Sequence, residues 1–321
     1  MCLYPKLIKN RKYVPNKKNG GEVPPLLDKR AELVPVGCGK CMECMRQKAR
    51  NWQVRLQEEV RINRTGKFVT LTFNDETLDK LADTINFDED GIQIREPVKG
   101  YELDNEIATL AIRRFLERWR KKHKKSVKHW FVTEIGGNRT ERIHIHGIMF
   151  TNDIETIIEK WNTYGHIYIG EYVNEVTVNY IVKYLHKTDQ KHKYYTPKIL
   201  TSPGIGKNYL KRSDVTRNKF NGKDTKDNYK AKNGNITALP KYYRNNIYND
   251  EEREKLWLMM LDKNERYVDK QKIDISKGTE DYYKALEAAR AKNERLGYGN
   301  DEKNWQKINY ENQRRGLGRR K

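Results

Sequence analysis

The segment "ERIHIHGIMF", residues 141–150, restricts this chain more than any other. Apolar residues alternate there with His144 and His146, and a period of two marks an extended strand whose successive side chains leave opposite faces. Ile143 and Ile145 point one way, and two imidazoles stand side by side on the other. Two histidines at i and i+2 make a chelating pair for one ion, although the same spacing serves two hydrogen-bonded surface histidines. Two familiar H-x-H metal patterns fail on the flanking residues. One needs Asp-His directly afterwards, where the chain reads "GIMF"; the other needs a Glu four or five residues on, where Phe150 and Thr151 stand.

A third ligand is sought on the preceding strand, "KHWFVTEIGG" (128–137). If "NRT" (138–140) is a three-residue hairpin loop, Glu134 lies opposite His144 and Val132 opposite His146. Cross-strand partners share a face, so Glu134 projects toward the histidines, and a one-residue slip would turn it away. A His-His-carboxylate set on an open surface suits Mg²⁺ or Mn²⁺ beside a phosphate, and it also suits Zn²⁺.

Around this hairpin the periodicities follow an informative order. "KFVTLTF" (67–73) is a strand with Val69, Leu71 and Phe73 on one face and Thr70 and Thr72 on the other. The polar, acidic stretch 74–103 reads as an insertion or long loop. Residues 104–125 are helical, with Ile107, Leu110, Ala111, Phe115 and Trp119 as an apolar stripe. A helix at 153–165, a strand at 166–173 and a helix at 176–188 follow. The order β-α-β-β-α-β predicts an α+β fold, the split-βαβ or ferredoxin-like antiparallel sheet with helices on one face, leaving the other face to a ligand.

Three regions are expected: a cysteine-bearing segment and helix (1–63), the split-βαβ core (64–190), and a basic C-terminal region (191–321). Between 201 and 240, nine Lys or Arg stand against three Asp, which reads as a flexible basic segment. Helices are expected around 249–268 and 279–296, then the basic tail "NQRRGLGRRK".

The net charge is +21, from 65 Lys and Arg against 44 Asp and Glu. A surplus of this size favours a polyanionic partner, nucleic acid before an anionic membrane. No stretch approaches the ~20 apolar residues of a membrane-spanning helix, and the N-terminus lacks the apolar core of a secretory signal. All four cysteines lie within the first 44 residues, which fits a reducing, cytoplasmic compartment with one local cysteine device. Cys38, Cys41 and Cys44 are spaced C-x₂-C-x₂-C, with Cys2 as a possible fourth thiolate. Four thiolates match a structural tetrahedral Zn²⁺; the spacing also occurs in iron–sulfur ligation, where a further nearby cysteine is needed.

"NYIVKYLHK" (179–187) contains two overlapping Tyr-x-x-Lys units, Tyr180 with Lys183 and Tyr184 with Lys187. Tyr180 and Tyr184, four residues apart, share a helix face. A phenol of pKa ~10 is a poor nucleophile unless a cation favours the phenolate, and adjacent lysines lower that cost and neutralise a phosphate. Most such aromatic–lysine helices merely pack on a core; after an H-x-H strand this one also offers nucleophiles.

"VTLTF", "RIHIHG" and "YIVKY", in that order, resemble the HUH endonucleases, the nickases of rolling-circle replication. "MCLYP", "CGKCMEC", "TEIGGNRTERIHIHG" and "SPGIGKNYL" resemble the replication initiators of gokushovirus-type microviruses, over roughly residues 1–210. The resemblance implies a divalent cation held by His144, His146 and Glu134, and attack on single-stranded DNA at a phage origin by Tyr180 or Tyr184. It implies a 5′-phosphotyrosine and a free 3′-OH extended by the host replication machinery, in the cytoplasm of a bacterial host. A transposase or relaxase on the same fold would generally add further segments, and no Walker-type "GxxxxGK" is present. A non-catalytic nucleic-acid-binding protein would need only the charge. Residues 211–321 carry no recognisable motif.

Overall fold

The computed structural model describes residues 2–136, 141–188 and 191–300; the "NRT" loop and the basic tail lie outside them. Two compact units emerge, one from residues 2–54 and 208–300, the other from 55–207. In the first, Lys6–Lys9 (β1) pairs antiparallel with Leu33–Val36 (β2). Met42–Ile62 (α1) follows, beginning well before the helix expected at 51–63.

The second unit is built on the alternating strands. Gly66–Leu71 (β3) leads to two helices, Asp75–Asn86 (α2) and Gly100–His123 (α3), then to Lys128–Ile135 (β4) and Ile143–Phe150 (β5). Ile154–Trp161 (α4), Ile167–Ile169 (β6) and Glu175–Ile181 (α5) complete the expected order, and Ile199–Thr201 (β7) adds an unforeseen strand. The sheet order is β6-β3-β5-β4-β7 with every neighbour antiparallel. Its first four strands have the split-βαβ arrangement.

The apolar alternation goes where its period sends it. Val69, Leu71, Phe131, Ile135, Ile143, Ile145 and Met149 face Ile107, Ala111, Phe115 and Trp119 of α3 and Ile157 and Trp161 of α4 in one core. Each fully buried large aliphatic or Phe side chain there contributes about 1.5–3 kcal/mol. The helix α2 corrects the reading of 74–103 as a loop. Leu78, Leu81, Ala82 and Ile85 form a stripe against this core, and the Asn74 side chain caps the start by accepting from Thr77 N at 2.8 Å. Its many acids hide a stripe only four residues long.

The opposite sheet face carries Phe68, Thr70, Trp130, Val132, Glu134, His144, His146 and Ile148. On it lie α5 and the 3-10 turn Val182–Leu185 that continues it. Buried Glu59 of α1 pairs with Lys128 at 2.8 Å and accepts from Gly206 N at 2.9 Å. Ser202 Oγ accepts from His129 N at 2.8 Å, so "SPGIG" (202–206) fastens β7 beside β4.

In the first unit, Asn228–Lys230 (β8) pairs with Ile236–Ala238 (β9), and Lys241–Ile247 (α6), Asp250–Asp262 (α7), the hairpin Glu265–Val268 (β10) with Gln271–Asp274 (β11), and Glu280–Arg295 (α8) follow. The stretch 208–240 is folded where the sequence reads as flexible. Tyr209, Tyr229 and Leu239 pack with Val54, Tyr243 and Tyr248 into a core that a count of aliphatic residues misses. The helix expected over 249–268 stops at Asp262, and its last residues form β10 instead. Among the described residues no helix is long and apolar enough to cross a membrane.

Candidate active site

The strand register places Glu134 opposite His144 and Val132 opposite His146, while Thr70 on β3 lies opposite His146 from the other side. Side-chain contacts then run diagonally. Glu134 Oε2 meets His146 Nε2 at 2.9 Å, and Thr70 Oγ meets His146 Nδ1 at 3.0 Å. A carboxylate only accepts, so His146 Nε2 donates to it, and the neutral ring receives the Thr70 hydroxyl proton at Nδ1. His144 Nδ1 donates to the Arg142 carbonyl at 2.7 Å, which leaves the lone pair on Nε2. Burial holds the His144 pKa below the ordinary imidazole value, partly offset by that carbonyl. His144 is therefore neutral at pH 7, the protonation state a metal ligand needs. For Glu134, burial pushes the carboxyl up, but hydrogen bonds from His146 and Lys187 outweigh it and hold it below the usual range.

These residues fit a divalent cation in chemistry and partly in geometry. Neighbouring ligands on an octahedral ion with bonds of about 2.1 Å stand about 3 Å apart, the spacing of His146 Nε2 and Glu134 Oε2. His144 lies on the same face, yet the three donor atoms do not all fall within 4.8 Å of one another.

Asn174 begins α5 by accepting from Thr177 N at 2.9 Å, which sets the helix so that its last turn reaches the histidine strand. The ring of Tyr184 stacks on His146, 4.1 Å between centroids and 2° between planes. Its hydroxyl donates to the Tyr180 hydroxyl at 2.6 Å. The two phenols, equivalent by spacing, differ in surroundings. Tyr184 is 8% exposed and Tyr180 is 49% exposed. Burial, the Tyr180 hydrogen bond and the charge of Glu134 push the Tyr184 phenol far above its ordinary pKa. The lysines differ too: Lys187 Nζ pairs with Glu134 Oε1 at 2.9 Å, whereas Lys183 sits exposed on the helix surface. A recess lined by Glu134, Tyr184, Lys187, His192, Tyr195 and Pro197 opens beside the pair.

Residues 66–189 match the family of replication-associated proteins of the ORF2 type. The match covers less than half of the chain, but it holds β3, Glu134, both histidines, both tyrosines and both lysines. It supports a replication-initiator role and DNA as the partner. No curated protein and no solved structure matches the chain significantly. Thr70, which orients His146, carried no assigned role in the sequence; its signal is a hydroxyl on the histidine face of "VTLTF". His192 and Tyr195 gave no local signal at all, because the recess they line exists only once the chain beyond α5 folds back.

Outside the matched residues, Cys2, Cys38, Cys41 and Cys44 are reduced, and their sulfurs lie within 4.8 Å of one another. Tetrahedral zinc with bonds of about 2.3 Å holds its sulfurs about 3.8 Å apart; Cys2 Sγ and Cys41 Sγ are 3.9 Å apart. An iron–sulfur cluster, with sulfides and several irons between the thiolates, needs a wider cage. Backbone N–H groups support the sulfurs, Cys38 N and Tyr4 N toward Cys2 and Cys41 N toward Cys38, at 3.2–3.3 Å. A Cβ on Gly37 would stand 3.1 Å from Cys44 Sγ, so the cradle needs glycine there. The neighbouring thiols hold Cys38 well below the ordinary thiol pKa and push Cys44 well above it. Four such sulfurs cannot all ionise without a cation. Among the described residues this is the only group of three or more His, Cys, Asp or Glu donors gathered so closely.

Proposed function

We propose that this protein starts rolling-circle replication of a phage genome by nicking single-stranded DNA at the origin and later rejoining the ends. The chemistry is that of the HUH endonucleases, and the resemblance to gokushovirus-type microvirus initiators supports the phage setting. The observation that carries this reading is the half-exposed Tyr180 phenol, which accepts a hydrogen bond from Tyr184 while Tyr184 lies flat on His146.

In this reading the Tyr180 oxygen attacks the phosphorus in line and gives up its proton to solvent. The Tyr184 hydroxyl, already donating to that oxygen, stabilises the phenolate as it forms. The bond from phosphorus to the 3′ oxygen breaks, and the departing oxygen takes up a proton as a free 3′-OH that the host polymerase extends. Lys183 and Lys187 offset phosphate charge. Rejoining reverses the step: a 3′-OH attacks the phosphotyrosine and restores the phenol, and the second tyrosine allows a second cleavage after one round. His144, His146 and Glu134 would hold Mg²⁺ or Mn²⁺, which when bound polarises the scissile phosphate. The four cysteines hold one structural Zn²⁺.

A randomised pool of 3′-labelled single-stranded oligonucleotides tests this without knowledge of the origin. Label should appear on the protein in a denaturing gel, require Mg²⁺ or Mn²⁺, and vanish in EDTA and in the Tyr180→Phe/Tyr184→Phe double variant. Oligonucleotide binding without any covalent label would reduce the protein to a basic nucleic-acid-binding protein.

A further inference from the structure

An aromatic group beside the nucleophile is left unused by that chemistry. Tyr168 on the edge strand β6 lies opposite Thr70, so it shares the face that carries His146. It is 63% exposed. Its ring meets Phe68 edge-on at 6.4 Å, and Phe68 in turn meets Tyr180 at 6.2 Å. Tyr168, Phe68 and Tyr180 thus form a continuous row from the sheet edge to the proposed nucleophile.

The chain also keeps this row uncovered. Gly170 N donates to Phe68 O at 2.8 Å, and a Cβ at Gly170 would stand 3.3 Å from Phe68 Cβ and 3.7 Å from its ring. Any longer side chain at that position would lie against the phenyl ring. An exposed tyrosine on an edge strand contributes little to the core. Its ring does present a flat π face, and successive bases of single-stranded nucleic acid stack on such faces whatever their sequence, at about 1–3 kcal/mol per base.

We propose that Tyr168 and Phe68 are a base-stacking shelf that seats an unpaired nucleobase within a few nucleotides of the phosphate at Tyr180. The occupant is single-stranded DNA because the shelf is continuous with the tyrosine pair and the chain carries a net charge of +21. The proposal rests on the nickase reading for the identity of the strand. Phosphate contacts then supply salt-dependent affinity, and the shelf sets the strand's position.

Binding in EDTA, where no cleavage occurs, separates the two contributions. The probes are a twenty-nucleotide oligothymidylate and a chain of twenty abasic units with the same charge. Wild-type protein should prefer the thymidylate. Tyr168→Ala should weaken thymidylate binding roughly 5- to 100-fold and leave abasic binding unchanged. Tyr168→Phe should behave as wild type, and Gly170→Leu, which sets a side chain against Phe68, should reproduce the loss. A Tyr168→Ala effect that is absent, or equal on both probes, overturns the shelf. A shelf that passes while no covalent adduct forms removes the nickase reading and leaves the stacking site standing.

Discussion

The histidine–tyrosine site and the cysteine centre both gather side chains around an ion-sized space, but they are held in opposite ways. His144, His146, Glu134 and Thr70 ride on three hydrogen-bonded strands whose other face is buried in a large apolar core. The cysteines come from an N-terminal segment and the start of α1, and the apolar group around them is small: Leu3, Cys41, Met42, Val268, Leu286 and Ala289 are its buried members. Polar ties help there, with Asn293 Oδ1 accepting from Met42 N at 2.8 Å and Asp269 bridging Arg46 and Lys292. A site standing on a sheet is in place before its ligand arrives. A site with little core draws its stability from the ligand itself.

The sharpest way to break this comparison is to remove each ion in turn. Stripping zinc, or Cys38→Ser, should abolish a bound metal of about one per chain and destabilise the N-terminal unit by several kcal/mol, since structural zinc supplies folding free energy. Metal analysis and thermal unfolding read this out, and unchanged melting would make the cysteines as self-supporting as the sheet. His144→Ala with His146→Ala should instead leave melting and most DNA binding near wild type while abolishing covalent adduct. Adduct that persists would remove the histidines from the chemistry.

Within the sheet-borne site, the two tyrosines should separate. Tyr180→Phe should cost on the order of a thousandfold in single-turnover cleavage, as removal of a nucleophile does, leaving only slower attack by Tyr184. Tyr184→Phe removes one hydrogen bond to a developing charge, about 1.5–3 kcal/mol, or roughly 10- to 100-fold. Equal losses would mean that exposure does not rank them.

The pH profile gives a smaller effect with a definite sign. His144 is depressed below 6.5 by burial and Glu134 is held low by His146 and Lys187. Both must be unprotonated to serve a cation, so the acid limb of cleavage should lie below pH 6.5 and activity should rise with pH through it. Lys187→Gln removes one partner of Glu134, raises that carboxyl and should move the limb upward. Lys183→Gln should do least: an unmoved limb and a salt dependence of DNA binding shallower by about 0.7 in log–log slope, one phosphate contact on a single strand.

Much of this was written locally in the chain. Alternation in "VTLTF", "HWFVTEI" and "RIHIHG" assigns faces because a strand's period is two, and the short connection between β4 and β5 left few choices of register, so Glu134 falls opposite His144. Spacing of four placed Tyr180 and Tyr184 on one side of a helix. Tertiary structure alone decided the depth of each ring, because the same helix face runs from the sheet, where Tyr184 covers His146, out to solvent, where Tyr180 sits. It alone brought Cys2 to Cys38 across a long loop, and Thr70 to His146 across 76 residues. Helix periodicity drowned in acidic residues hid α2, and tyrosines scattered through a basic segment hid the core around Tyr243, since burial depends on partners distant in sequence. Pattern along a chain sets which way a side chain points; only packing sets what it meets and whether water reaches it.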